Sequence, residues 1–333
     1  LFLFTISFVQ SQKPLTRKIS FLEGLPSDVV YDLFVDRDGL LYLGTDKGLT
    51  TYNGVHFEQI EILESLGNSV SSLQQDQHGV IWCKNFANQL FYLKNGALHV
   101  DKIVKDFLLK KNGNLVDFCL AGDLIYILTQ DKVYTYKRGK ITQIYAAGRN
   151  NSDQLYSIIF NQAENKLYVS SPAHIYIFEN DVLVKKEATA SGQKTLEIFK
   201  GKLSYSYKSQ VNHCVVGPTK IVLNNPELQN TFLNRMSATK DNLWLCTNNG
   251  IYEYDEKNQK FKDGFLNEVR VTDIVQDLEG NHWISSLDEG LFLLPNRKIF
   301  ELKIEAANQR KKLSYTRIAQ GTNGNYFVGT NDE

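Results

Sequence analysis

Residues 270–294 read Arg-Val-Thr-Asp-Ile-Val-Gln-Asp-Leu-Glu-Gly-Asn-His-Trp-Ile-Ser-Ser-Leu-Asp-Glu-Gly-Leu-Phe-Leu-Leu, three apolar runs separated by two short polar breaks. Val271–Val275 is the first run, His282–Ser285 around Trp283 the second, and Leu291–Leu294 the third. Asp277, Glu279 and Gly280 form one turn signal, because Asp bonds its own backbone and Gly accepts positive φ. Asp288, Glu289 and Gly290 form another. Breaks this short join antiparallel neighbours, so the stretch is predicted to be a three-stranded meander.

Working outward, the unit recurs. Residues 30–52 carry Asp36-Arg-Asp-Gly39, Leu41-Tyr-Leu-Gly-Thr45 and Asp46-Lys-Gly-Leu49. Residues 70–93 carry Asp76-Gln-His-Gly79 followed by Ile81-Trp82, and residues 233–254 carry Leu243-Trp-Leu-Cys-Thr247 and Asn248-Asn-Gly-Ile251. Weaker copies centre on Tyr126, Tyr168 and Tyr205, and a last one starts at Arg317 with Phe327 in the Trp position. The central aromatics Tyr42, Trp82, Tyr126, Tyr168, Tyr205, Trp244, Trp283 and Phe327 lie 37 to 44 residues apart. A period near forty built from strands alone is that of propeller blades. The predicted fold is an all-β propeller of four-stranded antiparallel blades, seven of them plus the start of a further one.

Each blade needs an outer fourth strand. The segments 56–62, 98–104, 140–145, 182–187, 260–265 and 299–304 are predicted to supply them. The segment 17–22 precedes the first meander, where a propeller closes its ring by pairing with the last blade. The central aromatics occupy one position of the second strand and are expected to pack between blades.

Composition narrows the partners. The 333 residues hold 37 Lys+Arg and 37 Asp+Glu, so formal charge is zero, which argues against nucleic acid, since phosphate binding wants a basic excess. The 17 Tyr and 19 Phe against one Met suit a β-rich chain. Cys83, Cys119, Cys214 and Cys246 show no CxxC and no metal spacing and read as small buried residues. The apolar run Leu1–Val9 followed by Gln10-Ser-Gln-Lys-Pro14 has the composition of the end of a secretory signal peptide, with cleavage after Ser11. The chain therefore divides into a signal-peptide remnant at 1–11, a propeller of about seven blades at 12–305, and a linker with the truncated first blade of a following propeller at 306–333.

The strong copies resemble the two-component regulator propeller repeat, roughly V-x-x-I-x-x-D-x-x-G-x-x-W-x-G-T-x-x-G-L-x-x-Y. Val30, Leu33, Asp36, Gly39, Tyr42, Gly44-Thr45, Gly48-Leu49 and Tyr52 follow it, as do Val271, Ile274, Asp277, Gly280, Trp283 and Gly290-Leu291. The opening Glu23-Gly-Leu-Pro-Ser-Asp-Val-Val-Tyr-Asp-Leu33 is similar to the first repeat of such sensors. The match is good in four copies and weak between about 110 and 230, where the Asp-x-x-Gly turn is lost. Sialidase Asp-boxes space their Asp and Gly differently, and no WD dipeptide of WD40 blades is present.

The resemblance implies a non-catalytic, ligand-binding, extracytoplasmic (periplasmic) sensor region of a bacterial two-component protein, of the kind found in Bacteroidetes. It also implies a parent anchored in the inner membrane, with a membrane helix and a histidine kinase in the same polypeptide. A small ligand, a glycan by family analogy, is the expected partner, and a homodimer is compatible with the same reading. No cofactor and no metal are expected. The alternatives are a cell-surface scaffold or secretion-apparatus propeller and, further off, a polysaccharide-acting enzyme.

No HExxH, Walker loop, GxSxG or dinucleotide fingerprint occurs. His78 and His282 sit beside turns, where solvated polar residues are expected, and turn chemistry already explains Asp36/Asp38 and Asp288/Glu289. No catalytic residue is assigned. The turns joining second to third strands share one face with the connections between blades, and ligands use such faces. Asp46, Lys47, Asn88, Gln130, Asp131, His174, Asn248, Asn249, Asp288 and Glu289 are therefore the candidate ligand-binding residues.

Overall fold

The computed structural model describes residues 14–148, 150–209, 213–223, 228 and 231–295, and the backbone of 315–320 and 326–330. The segment 1–11, the outer strand expected at 299–304, the linker that follows it and the Phe327 side chain lie outside the described residues. The chain divides into two compact units. One is Pro14–Ile299; the other contains the antiparallel pair Tyr315–Gln320 and Tyr326–Thr330.

The larger unit is a seven-bladed ring. Its inner strands are Val30–Val35, Ser71–Gln75, Asp117–Ala121, Ser157–Asn161, Lys194–Phe199, Leu233–Ala238 and Val271–Gln276. Each lies beside the next, and the seventh lies beside the first. Every inner strand starts an antiparallel blade of four strands. In blades 1 to 6 the fourth strand follows in sequence: Phe57–Leu63, Ala97–Val100, Lys140–Ala146, Val182–Ala188, Thr219–Val222 and Lys260–Phe261. In blade 7 it comes from the start of the unit, with Arg17, Lys18 and Ile19 paired to Leu293, Phe292 and Leu291. The weak region between 110 and 230 forms blades 3 to 5, so its blades persist after the turn motif is lost. The outer strands of blades 1 and 2 also pair, in parallel, at Glu61–Leu63 and Ala97–His99.

The geometry accounts for the repeat motif. Asp36 Oδ1 accepts the backbone N–H of Asp38 and Leu40 at 3.0 and 2.9 Å. Asp76 does the same for His78 and Val80, and Asp277 for Glu279 and Asn281. The other oxygen of Asp76 and of Asp277 accepts the indole N–H of Trp82 and Trp283, each at 2.9 Å. Aspartate and tryptophan six residues apart are thus one device: the carboxylate builds the turn and satisfies a ring whose apolar body packs between blades. Tyr126 and Tyr168 use the same principle, donating to Asp181 at 2.8 Å and Glu164 at 2.7 Å. Burial first, then these carboxylates, raise both phenol pKa values far above normal.

Tyr42, Trp82, Tyr126, Tyr168, Trp244 and Trp283 each pack with residues of the following blade. Tyr205 does not: it faces back toward Ile159 and Tyr168 of blade 4. Tyr205 is the fourth paired residue after its two-residue turn, whereas Tyr126 is the third after an equally short one, so the alternation of the strand points them to opposite faces. The strand expected over 98–104 stops at Val100, and Lys102–Lys111 is an α-helix. Asp101 caps it through Val104 N–H at 2.9 Å, and Val104 and Leu108, four residues apart, bury one face between blades 2 and 3. His282 is buried rather than solvated, 3% exposed and edge-on to Trp244. All four cysteines are buried and free.

Gly290 sits where the closing strand lands. Its φ is +75°, and a Cβ there would stand 2.6 Å from Ile19 O. Gly54 has φ +92° with nothing within 4 Å. Gly54→Ala is expected to cost about 1–2 kcal/mol, the left-handed penalty alone. Gly290→Ala should cost more than Gly54→Ala because it also displaces the closing strand. Urea unfolding of both variants measures the difference.

Candidate functional site

Four inner strands carry a β-bulge near their start, at Val30/Asp32, Ser71/Gln74, Leu233/Arg235 and Val271/Asp273. The hairpin of the smaller unit has the same shift at Tyr315/Arg317. A bulge re-aims the side chains beside it. In the ring, Asp32, Arg235 and Asp273 thereby meet at the axis.

Arg235 Nη1 donates to Asp32 Oδ1 and, at 2.5 Å, to Asp273 Oδ2, joining blades 6, 1 and 7. The backbone N–H of Leu73 in blade 2 donates to Asp32 Oδ2. Asp273 also accepts Leu33 N–H at 3.2 Å and Ser237 Oγ–H at 2.6 Å. The two carboxylates are 3% and 5% exposed, and one guanidinium serves both. Burial, partly offset by Arg235 and reinforced by Asp273, pushes the Asp32 carboxyl up to about 6. Burial works against the charge on Arg235, but Asp273 and Asp32 outweigh it and raise its pKa further. Glu197 in blade 5 is pushed up to about 7, chiefly by burial.

Around this cluster runs a central channel of about 590 Å³, lined from all seven blades. Its walls carry Asp32, Asp117 and Glu197 together with Lys84, Lys194, Lys208 and Arg235. Lys194 is buried and donates to the carbonyls of Ser171, Pro172 and Gly192 at 2.9, 2.6 and 3.0 Å. Burial pulls its pKa down to about 8. Tyr31, Tyr156 and Phe232 stand at the mouth, and Tyr31 meets the exposed Phe86 edge-on at 4.9 Å. A second cleft, of about 820 Å³, lies beside the helix Lys102–Lys111 and is lined by Trp82, Tyr92, His99 and Tyr136.

Nine of the ten residues singled out from the sequence occupy the turns between second and third strands, and His174 opens the third strand of blade 4, His174–Glu179. Those turns bond to the starts of inner strands, as in Val70 N–H to Thr45 O and Leu155 N–H to Gln130 O, so they surround the channel mouth. None of the ten lines the channel itself. Asp46 accepts from Ser27, Asn249 from Glu268 N–H, and Asp288 from Arg270. Glu289 pairs with Lys18, and Asp131 with Lys132. Lys47 offers its carbonyl to Gln59, and Gln130 its carbonyl to Leu155. Asn88 donates to Asn114 at 3.4 Å, and His174 Nδ1 stands 3.8 Å from Asp153. Asn248 comes nearest the channel, since it accepts from the channel residue Asn234 at 3.0 Å.

Sequence reading missed the channel residues, although a signal was present. The third residue of Val30-Tyr-Asp-Leu33, Val70-Ser-Ser-Leu73, Leu115-Val-Asp-Phe118, Leu155-Tyr-Ser-Ile158, Leu233-Asn-Arg-Met236 and Val271-Thr-Asp-Ile274 is polar in every copy, between apolar first and fourth residues. That repeating polar position marks the ring axis.

A closed seven-bladed ring with a polar axial channel defines a β-propeller. Residues 24–47 match the two component regulator propeller model, so the chain carries a repeat of that family where the sequence resemblance placed it. No curated protein matches the chain. Among solved structures it is similar to the extracellular domain assigned to the hybrid two component system BT3049 from B. thetaiotaomicron, at 18% identity and TM-score 0.71. That match covers 95% of this chain and 47% of the other. The extracellular domain assigned to BT4673 from the same organism matches at 16% identity and TM-score 0.62, over 95% and 44% of the two chains. The chain thus spans about half the length of these relatives. Virginiamycin B lyase from Staphylococcus aureus matches at 13% identity and TM-score 0.63, over 84% of this chain and 98% of the enzyme. Among the described residues no helix is long and apolar enough to cross a membrane.

Arg235→Ala would leave Asp32 and Asp273 buried without their cation. The expected loss is about 3–5 kcal/mol near pH 8. The sign with pH follows from Asp32, whose carboxyl titrates above its unfolded value, so keeping it ionised in the fold costs stability as pH rises. The deficit of Arg235→Ala should therefore be smaller at pH 5 than at pH 8, as read by denaturant midpoints at both.

Proposed function

We propose that this chain is the extracytoplasmic ligand-sensing region of a two-component signalling protein, and that it binds a small molecule in the axial channel without turning it over. The observation that carries this reading is the channel itself. The residues shared by the repeats are used up by turns and packing, whereas those that differ between blades converge on the axis. A volume of about 590 Å³ lies in the range of small-molecule sites. The turns bearing Asp46, Asn249 and Asp288 supply outer contacts around the mouth. The similarity to extracellular domains assigned to hybrid two component systems supports the sensor role, and the family match at 24–47 supports it from sequence. The parent protein passes binding to a membrane helix and a histidine kinase in the same polypeptide. The lyase likeness favours a second reading, a propeller enzyme, so turnover belongs in the test.

Isothermal calorimetry with neutral and acidic mono- to tetrasaccharides, followed by chromatography of the same mixtures, is the experiment. Binding without product formation is expected. Ser157→Trp fills the channel from blade 4 and should abolish the heat while the chain stays folded by circular dichroism. The triple change Asp46→Ala, Asn249→Ala and Asp288→Ala should weaken binding less, and it lowers stability by about 0.5–1.5 kcal/mol for each hydrogen bond that half-buried Asp46 and Asn249 give up. Product formation by the wild-type chain would overturn the non-catalytic reading.

A further inference from the structure

We propose that the axial channel is an anion site in which Lys84 of blade 2 and Lys208 of blade 5 hold a carboxylate, sulfate or phosphate group of a small ligand. This rests on the channel being the sensing site and goes further by naming the ligand's chemistry. Lys84 ends the second strand of blade 2, and Lys208 follows the second strand of blade 5. Both line the channel, although their blades stand apart in the ring. They share the walls of one channel, and the charges there act on Lys208: burial holds it below the usual lysine range, Asp117 pulls it up, and Arg235 and Lys84 lower it further.

The carboxylates nearby are already engaged. Asp32 and Asp273 share Arg235, Asp117 accepts Ser72 Oγ–H at 3.1 Å, and Glu197 accepts Ile198 N–H at 2.8 Å. Lys194, the other channel lysine, is spent on three carbonyls. Among the described residues neither Lys84 nor Lys208 has an ion-pair partner, in contrast to Arg235. Asp117 is the strongest charge acting on Lys208 but forms no ion pair with it among the described residues, so both ammonium groups keep donors for charge-assisted hydrogen bonds to an anion in the channel. The aromatic mouth at Tyr31 and Tyr156 offers apolar surface to the rest of the ligand.

The test is calorimetric titration of the chain with inorganic phosphate, inorganic sulfate, glucuronate and glucose. Wild-type protein should bind at least one of the three anions and prefer glucuronate to glucose, with affinity falling as salt rises. The double variant Lys84→Met, Lys208→Met should lose at least tenfold in anion affinity, while Lys84→Arg, Lys208→Arg retains most of it. Lys257→Met, at an exposed lysine in the turn between the third and fourth strands of blade 6, should change nothing. Circular dichroism and thermal midpoint confirm that the Met variant is folded; if it is not, Lys84→Met alone is used, with a several-fold loss expected. Anion binding unchanged in the folded Met variants overturns the proposal. So does wild-type binding of glucose, lost in Ser157→Trp, with no anion bound: the sensing channel then stands and its anion specificity fails. Binding that survives Ser157→Trp overturns the channel reading itself.

Discussion

The pairing of Arg17–Ile19 with Leu291–Leu293 holds the ring shut, and the other features presuppose it. A blade is apolar on both faces, so blades 1 and 7 each leave one face bare unless they meet. Bringing together segments some 270 residues apart costs on the order of 5 kcal/mol in loop entropy. Burying one large apolar side chain contributes about 1.5–3 kcal/mol. The closing cluster buries Ile19, Leu25, Val30, Leu33, Leu41, Leu43, Trp283 and Leu291, so a few of its members offset the cost.

A polar seam runs along the same joint. Thr272 Oγ1–H donates to Val30 O at 2.7 Å, and Asp273 accepts Leu33 N–H. Arg235 ties both to blade 6. Apolar packing alone sets no particular rotation of one blade on the next. Directional bonds at the axis do, and they fix the positions of the channel walls. The seam thus stabilises closure and shapes the site, whereas Lys84 and Lys208 take no part in it.

Much of the fold was legible before any coordinates. Asp277, Gly280 and Trp283 announce a turn and the ring that packs over it, because the aspartate must satisfy both backbone and indole within six residues. Where that device is missing the reading slipped. Tyr205 has the right spacing but the wrong face, since it stands one strand position further from its turn than Tyr126 does from an equally short one. The outer strand expected over 98–104 runs into the helix Lys102–Lys111, although Asp101 and the four-residue spacing of Val104 and Leu108 are ordinary helix signals. The strong forty-residue period masked them.

Local chemistry, by itself, determined the blades: turn residues, strand periodicity and the spacing of aromatics act within one repeat. The rim residues such as Asp46 and Asp288 were visible for the same reason, as they sit in local turns. The channel was not, because its members come from all seven blades. Asp32 and Arg235 are 203 positions apart and become neighbours only when the ring closes. Lys84 and Lys208 likewise line one channel from blades 2 and 5, around an axis that no single repeat contains. A closed ring turns one repeated strand position into a shared wall, and only tertiary structure brings its charges together.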